Sequence, residues 1–487
     1  MKLGFRPLAL LTGALAVLVI AACGHKSSGT TVGTTTPTPS GDLAWTYVAG
    51  GQVVGQTGIY GTLGVPAATN QPGSRDSAAT WTDASGVLWL FGGNGYDVSG
   101  SVGSLNDLWK YDPAAKRWTW VATSSAQASG QVINAAGNYG TRGQPSATTV
   151  PGARAGAVTW TDVNGNLWLF GGIGFDANKL QGDLNDLWMF SPASGQWTWV
   201  GGANTANAAG VYAAVGSPDP TSQPGGREGA LGWTDASGKF WLYGGGGYDG
   251  AGNNGSLSDL WQYDPTTNEW EVVWVATTTP AFAANPVATY GTQGTAGGSP
   301  GPRQAAVGWI DASGNLWMFG GLGLDSKAAF GYLNDLWMFS PHNKNWTWVG
   351  GSSIVSVAGV YGTLGTAATS NAPGSRAGAS AFIDAKGNFW LFGGQGFASG
   401  GSQGYLNEVW EYSPTAKTWQ YVSGSTVINA TGVYGTQGTA AKTNSPGSRY
   451  YTASWFDKSG QLWLFGGGGY DSKSVLGQLD DLWMTKP

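Results

Sequence analysis

The chain has 487 residues, of which 83 are glycine and 27 are tryptophan, and only 10% are charged. This composition excludes long helices, because glycine destabilises helix interiors and the strong helix formers Glu, Lys and Arg are scarce. A hydrophobic fraction of 41% excludes a disordered chain. The net charge of −5 makes a phosphate backbone a poor partner, so we expect no nucleic-acid binding.

Two basic residues, Lys2 and Arg6, precede an apolar run over residues 7–22. The run is too short for a membrane span and has the form of a secretory signal peptide. It ends in Val-Ile-Ala-Ala followed by Cys23, which is the only cysteine in the sequence. This ending resembles the lipobox of bacterial lipoproteins. The alternative is an ordinary signal peptide followed by an incidental cysteine.

The lipobox resemblance implies that residues 1–22 are removed and that Cys23 carries the lipid. Gly24, standing where an aspartate favours the inner membrane, implies the outer membrane. Residues 23–42 are rich in Ser, Thr, Gly and Pro, which is typical of a flexible tether. We therefore expect a lipid-anchored protein of the bacterial cell envelope, periplasmic or surface-facing.

Residues 43–487 consist of repeats. A Phe/Tyr-Gly-Gly motif recurs six times, at spacings of 73 to 79 residues. Each unit has a strand of small residues, an apolar strand that ends in Gly-Gly, a loop of about a dozen residues, a Leu-Asn-Asp-Leu-Trp strand and a Trp-rich fourth strand. Because four short strands separated by turns form one antiparallel sheet, this period predicts an all-β, six-bladed β-propeller.

The unit also resembles a kelch repeat. After the double glycine, each of the first five units has an aromatic residue followed seven positions later by tryptophan. The pairs are Tyr111/Trp118, Phe190/Trp197, Tyr263/Trp270, Phe339/Trp346 and Tyr412/Trp419. The resemblance implies a fold like the central domain of galactose oxidase. Kelch repeats have a period of about 50 residues, and the excess here lies before each Pro-Gly-x-Arg segment.

The sixth unit stops after its third strand, at Trp483. Its missing fourth strand has a counterpart at the start of the repeats, where residues 44–48 (Ala-Trp-Thr-Tyr-Val) match the Trp-Thr-Trp-Val of the fourth unit. We expect this N-terminal strand to complete the last blade and to remove an exposed sheet edge. The expected product is a closed, monomeric propeller.

Every tryptophan falls on a repeated strand position. This distribution predicts packing between blades and argues against tryptophan platforms for sugars. Other aromatic residues are predicted in the loops and remain candidates for such platforms. They are Tyr96, Phe175, Tyr248, Phe397 and Tyr470.

One arginine stands at the same place in each unit, just before the first strand, which lines the central channel of a propeller. The six are Arg75, Arg154, Arg227, Arg303, Arg376 and Arg449. In one interpretation each pairs with a repeated carboxylate and clips adjacent blades together. In the other, they form a cationic collar for an acidic ligand, as in some kelch domains. The six available carboxylates favour the first interpretation; they are Asp107, Asp186, Asp259, Asp335, Glu408 and Asp481.

Loop length indicates which face binds a ligand. The loops between the second and third strands of each unit (the 2–3 loops) and the segments that join one unit to the next (the inter-blade segments) are predicted to be long. In a propeller these two kinds of connection lie on the same face. The residue after each repeated arginine varies between units, and four of these residues are polar. We therefore place Asp76, Glu228, Gln304 and Tyr450, together with the six arginines, among the candidate ligand-binding residues at the channel mouth.

An aspartate recurs in the predicted 2–3 loop of five units: Asp97, Asp176, Asp249, Asp325 and Asp471. Carboxylates bind Ca²⁺, but an aspartate that bonds its own loop backbone is the favoured interpretation. No other cofactor or metal is predicted. A multi-histidine site would need both His25 and His342, and Cys23 alone cannot form a thiolate cage.

The sequence offers no evident nucleophile beside a base, so we favour a non-enzymatic binding protein with a protein or glycan ligand. Copper radical oxidases share the kelch fold, but their site needs two histidines and a tyrosine–cysteine crosslink. Cys23 and His25 both precede the repeats, which excludes that chemistry. The alternative is a carbohydrate-active enzyme like the bacterial kelch mutarotases or epimerases, with acid–base work by Arg227, Glu228, Asp76 and Tyr450.

Overall fold

The computed structural model describes residues 43–121, 133–276 and 287–485. The chain divides into two units, Met1–Thr38 and Pro39–Pro487, and all of the described residues belong to the second. The predicted signal peptide, Cys23 and the tether lie outside the described residues. Within the described ranges every regular element is a β-strand, and no helix there is long and apolar enough to cross a membrane.

Five repeats each form one antiparallel sheet and the second forms two; one strand, β1 (Thr46–Ala49), precedes them in the chain. The first repeat contains β2 (Arg75–Asp76), β3 (Ala79–Thr82), β4 (Leu88–Tyr96), β5 (Val102–Asp112) and β6 (Arg117–Val121). The second contains β7 (Arg154–Ala155), β8 (Val158–Thr161), β9 (Leu167–Phe170), β10 (Ile173–Phe175), β11 (Gln181–Asp183), β12 (Leu187–Ser191) and β13 (Gln196–Gly201). Its two sheets are β7-β10-β11 and β8-β9-β12-β13. The third contains β14 (Arg227–Glu228), β15 (Leu231–Thr234), β16 (Phe240–Tyr248), β17 (Asn254–Asp264) and β18 (Glu269–Trp274).

The remaining repeats have the same order of strands. The fourth contains β19 (Ala296–Gly298), β20 (Arg303–Gln304), β21 (Val307–Ile310), β22 (Leu316–Leu324), β23 (Phe330–Ser340) and β24 (Asn345–Gly350). The fifth contains β25 (Arg376–Ala377), β26 (Ser380–Ile383), β27 (Phe389–Phe397), β28 (Gln403–Ser413) and β29 (Thr418–Ser423). The sixth contains β30 (Arg449–Tyr450), β31 (Ala453–Phe456), β32 (Leu462–Tyr470) and β33 (Leu476–Thr485). These sheets confirm the predicted all-β propeller fold.

The N-terminal strand completes the last sheet, as predicted. β1 pairs antiparallel with β33, with Thr46 opposite Met484 and Tyr47 opposite Trp483. Trp45 and Tyr47 are almost fully buried in a cluster that includes Trp483. The strand therefore joins the two ends of the repeat array by hydrogen bonds and by apolar contacts.

The first strand of each repeat is broken into two pieces, and the break builds a ring around the channel. In the first repeat Ser77, between β2 and β3, has a φ of 54°. At this position in every repeat the amide N–H donates to the equivalent carbonyl of the preceding repeat, over 2.7 to 3.0 Å, and Ser77 donates to Tyr451 of the last. The six residues of this hydrogen-bonded ring are Ser77, Gly156, Gly229, Ala305, Gly378 and Tyr451.

The core lies between the sheets. The buried side chains form clusters that are each shared by two neighbouring repeats, including one shared by the first and the last. Tryptophans dominate them: the Trp81 indole of β3, for example, donates to the carbonyl of Trp168 in the next sheet over 2.9 Å. The prediction that tryptophans pack between blades is confirmed.

The inter-blade segments account for the long period. Each crosses to the outer edge of the sheet that follows and pairs with its fourth strand, as at the bridge between Ala67 and Trp118 of β6. In the fourth repeat this pairing is regular enough to form β19, which lies beside β24. The added residues therefore cover edges that would otherwise be open to pairing with other chains.

The prediction of long 2–3 loops is wrong. Strands β4 and β5 continue past the double glycine and leave a turn of only residues 97–101. The glycines form a β-bulge between Phe91 and Gly93. At Gly92, with a φ of 63°, a Cβ atom would lie 2.8 Å from the carbonyl oxygen of Arg154. The aromatic residues expected in these loops instead end strands; they are Tyr96, Phe175, Tyr248, Phe397 and Tyr470.

Candidate functional site

The repeated arginine is buried in a hydrogen-bonded node within its own repeat. In the first repeat Arg75 Nη1 and Nη2 lie 2.7 and 2.8 Å from the two carboxylate oxygens of Asp107. The guanidinium also donates to the carbonyls of Gly73 and Gly92. Asp107 accepts a further bond from the Trp109 indole, 2.7 Å away.

A tyrosine from the inter-blade segment completes the node. The Tyr60 hydroxyl donates to Asp107 over 2.7 Å, although Tyr60 precedes Asp107 by 47 residues in the sequence. Burial would raise the pKa of Asp107, but the charge and hydrogen bonds of Arg75 lower it overall. Burial and the Asp107 charge raise the pKa of Tyr60 well above its usual value. The node therefore fixes the inter-blade segment onto the sheet that it precedes.

The same node recurs in every repeat, and the predicted Arg–carboxylate pairs are confirmed. The pairs are Arg75–Asp107, Arg154–Asp186, Arg227–Asp259, Arg303–Asp335, Arg376–Glu408 and Arg449–Asp481. The expectation that they clip adjacent blades is wrong, because both members of each pair belong to the same repeat. The arginine side chains are at most 1% exposed, so this geometry does not support a cationic collar at the surface.

The fifth repeat departs from the pattern, because it has a glutamate where the others have aspartate. Glu408 Oε1 accepts from both Arg376, at 2.7 Å, and Tyr361, at 2.7 Å. Its Oε2 atom and the Trp410 indole nitrogen are buried without a hydrogen-bond partner. The longer side chain therefore makes fewer of the node's bonds than an aspartate does.

The channel mouth is formed by blade-specific residues beside the hydrogen-bonded ring. In the first repeat Asp76 lies opposite Asn94, which lies opposite Ser104, so the three share one face of the sheet. The equivalent triplets are Ala155, Ile173 and Asp183; Glu228, Gly246 and Ser256; Gln304, Leu322 and Tyr332; Ala377, Gln395 and Tyr405; and Tyr450, Gly468 and Gln478.

Side chains at the mouth contact one another across blades. Gln478 of the last repeat donates to Asp76 of the first over 3.0 Å. The rings of Tyr405 and Tyr450 are 5.2 Å apart, and that of Tyr451 is 5.0 Å from Tyr450. Tyr451 belongs to the hydrogen-bonded ring and has a φ of 48°, which is rare for a bulky residue. The mouth is thus a half-buried surface of phenols, amides and carboxylates.

The charge of the mouth is negative. Asp76, Asp183 and Glu228 are its ionisable acids, and the six triplets contain no lysine or arginine. Burial raises the pKa of Asp183 to about 6. Burial, and then the charge of Asp183, raise the pKa of Glu228 to about 7. These two carboxyl groups therefore exchange protons with solvent near neutral pH.

The structure places the site residues predicted from the sequence in two locations. Asp76, Glu228, Gln304 and Tyr450 lie at the mouth, whereas the six arginines lie behind it in the nodes. Ligand binding by those four stays a prediction. Sequence reasoning missed the second blade-specific position, three residues before the repeated carboxylate. It supplies Asp183, Tyr332, Tyr405 and Gln478, and aligning the six units at the Leu-Asn-Asp segment would have revealed it.

The recurrent 2–3 aspartates cap their own turns, as favoured. Asp97 Oδ1 accepts from the amide nitrogens of Ser99 at 2.8 Å and Ser101 at 3.2 Å. The other four make the same pair of bonds. Among the described residues no group of three or more His, Cys, Asp or Glu side chains is arranged to hold a metal ion.

One segment of the chain matches a known protein-family model. Residues 246–273, which run from β16 to β18, match the model of the Kelch motif. A search of curated proteins finds no match to the chain. Together the motif and the antiparallel sheets show a β-propeller whose repeats fit the kelch type.

Proposed function

We propose that the protein is a non-enzymatic binding protein that takes a glycan at its channel mouth. The observation that carries the proposal is the division of the repeats into two classes of position. The nodes and the tryptophan positions recur around the propeller with few changes, such as Phe382 and Glu408 in the fifth repeat, whereas the mouth residues differ from blade to blade. Positions that a scaffold does not need to repeat are the ones free to match one ligand.

The chemistry of the mouth favours a polyhydroxyl ligand. Carboxylates and side-chain amides bond pairs of sugar hydroxyls, and tyrosine rings pack against the apolar faces of sugars. Asp76, Glu228, Gln304 and Gln478 supply the polar groups, and the tyrosines supply the rings. An acidic ligand would meet three carboxylates and no cation, so the mouth favours a neutral or basic ligand over an acidic one.

The proposed location follows from the sequence. A lipid on Cys23, followed by the Ser/Thr/Gly/Pro tether of residues 23–42, holds the propeller at a bacterial envelope membrane, and the proposed membrane is the outer one. In this proposal the lipid keeps the protein at the membrane surface, and the channel mouth is available to bind a ligand.

The test is a glycan array probed with the purified protein, followed by titration of any hit with matched variants. We expect a saturable hit whose affinity falls at least tenfold in Tyr450→Ala and Gln478→Ala. Val163→Ala, in an exposed 1–2 turn, is the control and should bind as the wild type does. Binding of a folded protein ligand by these same residues, with no glycan hit, would contradict the glycan proposal.

The Asp183–Glu228 pair favours a second candidate, acid–base catalysis on a sugar. A carboxyl group with a pKa of about 7 is suited to move protons at neutral pH. Arg227, the expected partner, is buried in its node and does not reach the mouth. One-dimensional NMR of fresh sugar anomers distinguishes the candidates: catalysed interconversion that is lost in Glu228→Gln indicates an enzyme, and an uncatalysed rate indicates a binding protein.

A further inference from the structure

The contact between the fifth and sixth sheets differs from the others at the inner strands. In five repeats the first strand carries a tryptophan whose indole N–H donates to a carbonyl of the next sheet, over 2.8 to 3.3 Å. The fifth repeat has Phe382 at this position. A phenyl ring has no donor, so the seam between β26 and β31 lacks this hydrogen bond.

A cavity of about 350 Å³ opens at this seam. It is lined by Ala381, Phe382, Ile383, Ser454, Trp455, Phe456 and Leu462. Ile383 and Phe456 are the last residues of β26 and β31, so the cavity lies toward the 1–2 turns. It is therefore at the opposite end of the first strands from the channel mouth.

The walls of the cavity are flat and uncharged. Phe382 and Phe456 are stacked, with ring centroids 5.5 Å apart and planes 23° apart. Phe382 also stacks on Trp390, with 5.7 Å between centroids and 15° between planes. The Ser454 hydroxyl is the polar side-chain group of the lining that faces this seam, because the Trp455 indole packs against the first repeat and donates to the Trp89 carbonyl there. A charged ligand would lose its hydration here without an ionic partner.

We propose that this seam cavity binds a small, flat, uncharged aromatic molecule of one or two rings. Its size falls at the lower end of the range for ligand pockets, which are about 300–1,000 Å³ and mostly apolar. The ligand's ring packs with the stacked rings of Phe382 and Phe456, in a seam where the neighbouring repeats place an indole. This site is independent of the function proposed for the channel mouth.

The test is titration of the full-length protein with indole, followed by calorimetry and by the melting temperature. We expect saturable binding at one site and a higher melting temperature in the presence of indole. Phe382→Trp places the missing indole in the seam and should weaken binding at least tenfold. Val163→Trp adds a tryptophan at an exposed turn and, as the matched control, should bind as the wild type does.

A second variant guards against repacking around the new tryptophan. Ser454→Leu narrows the cavity from the facing strand, β31, and should also weaken indole binding at least tenfold. Indole-3-acetate, which carries a carboxylate, should bind at least tenfold more weakly than indole. The proposal is overturned if the wild type shows no saturable binding up to the solubility of indole, or if both cavity variants, verified as folded, bind like the wild type.

Discussion

At the scale of single residues, the buried arginines are structural and the variable residues around the mouth are available for a ligand. The Arg75 guanidinium is at most 1% exposed and donates to two carboxylate oxygens and two backbone carbonyls. Its donors are therefore directed into the protein and not toward a ligand. Neutralising it would leave a buried carboxylate unpaired. The stability of the propeller and its binding chemistry therefore depend on different residues of the same short strand.

Arg154→Ala should destabilise the protein by about 3–5 kcal/mol, because removing one partner leaves Asp186 buried without its cation. Thermal or denaturant unfolding measures the loss. Arg142→Ala is the control, since this exposed arginine bonds only a backbone carbonyl among the described contacts, and should change stability little. An unchanged or higher midpoint for Arg154→Ala would show that the pair is not structural.

The irregular fifth node predicts a stabilising substitution. Glu408→Asp restores the side-chain length of the other five repeats, so both carboxylate oxygens and the Trp410 indole regain partners. We expect a gain of about 1 kcal/mol, the usual net value of a buried hydrogen bond. Asp186→Glu, the reverse change in another repeat, should lose stability. If Glu408→Asp melts below the wild type, the shorter side chain does not complete the node.

The mouth carboxylates predict how stability depends on pH. The pKa of Glu228 is raised to about 7, so the folded protein holds a proton that the unfolded chain releases near pH 4.5. Folding stability therefore falls as the pH rises from about 4.5 to 7. Glu228→Gln should stabilise the protein by roughly 1–3 kcal/mol at pH 8 and little at pH 4. Equal effects at both pH values would contradict this assignment.

At the scale of strands, the sequence predicted what depends on local pattern and missed what depends on tertiary contacts. Residues 44–48 have the alternation of a fourth strand, so the closure by β1 was predictable. The bulge at Gly92 and Gly93 looks like a turn in the sequence, and only the pairing of β4 with β5 shows that the strands continue. The bond from Tyr60 to Asp107 spans 47 residues and leaves no local signal.

Deleting residues 43–50 should open the last sheet and expose the edge of β33. Trp45 and Tyr47 are 3% and 4% exposed, and burial of each is worth roughly 2–3 kcal/mol. We expect a loss of several kcal/mol together with aggregation, measured by thermal unfolding and light scattering. A deletion of residues 26–33, in the predicted tether, is the control. A truncated protein that melts within about 2 °C of the wild type would contradict closure by β1.

At the scale of the whole molecule, the proposed membrane anchor depends on one residue, Cys23. Cys23→Ala should abolish metabolic labelling with a lipid and release the protein from membranes, because the thiol is the proposed acylation site. His25→Ala is the neighbouring control and should stay labelled. Cys23→Ala protein that remains with membranes at high salt would show that another part of the chain holds them.

The hydrogen-bonded ring narrows the channel between the two proposed binding sites. Hydrogen-bonded strands lie about 4.8 Å apart, so a ring of six such backbones has a radius of about 5 Å, and the thickness of the backbone atoms leaves an opening of roughly 6 Å. The mouth residues and the residues that line the seam cavity lie at opposite ends of the first strands, on either side of this narrow opening, and have no residue in common. A ligand at the mouth and an aromatic ring in the seam cavity should therefore bind without competing with each other.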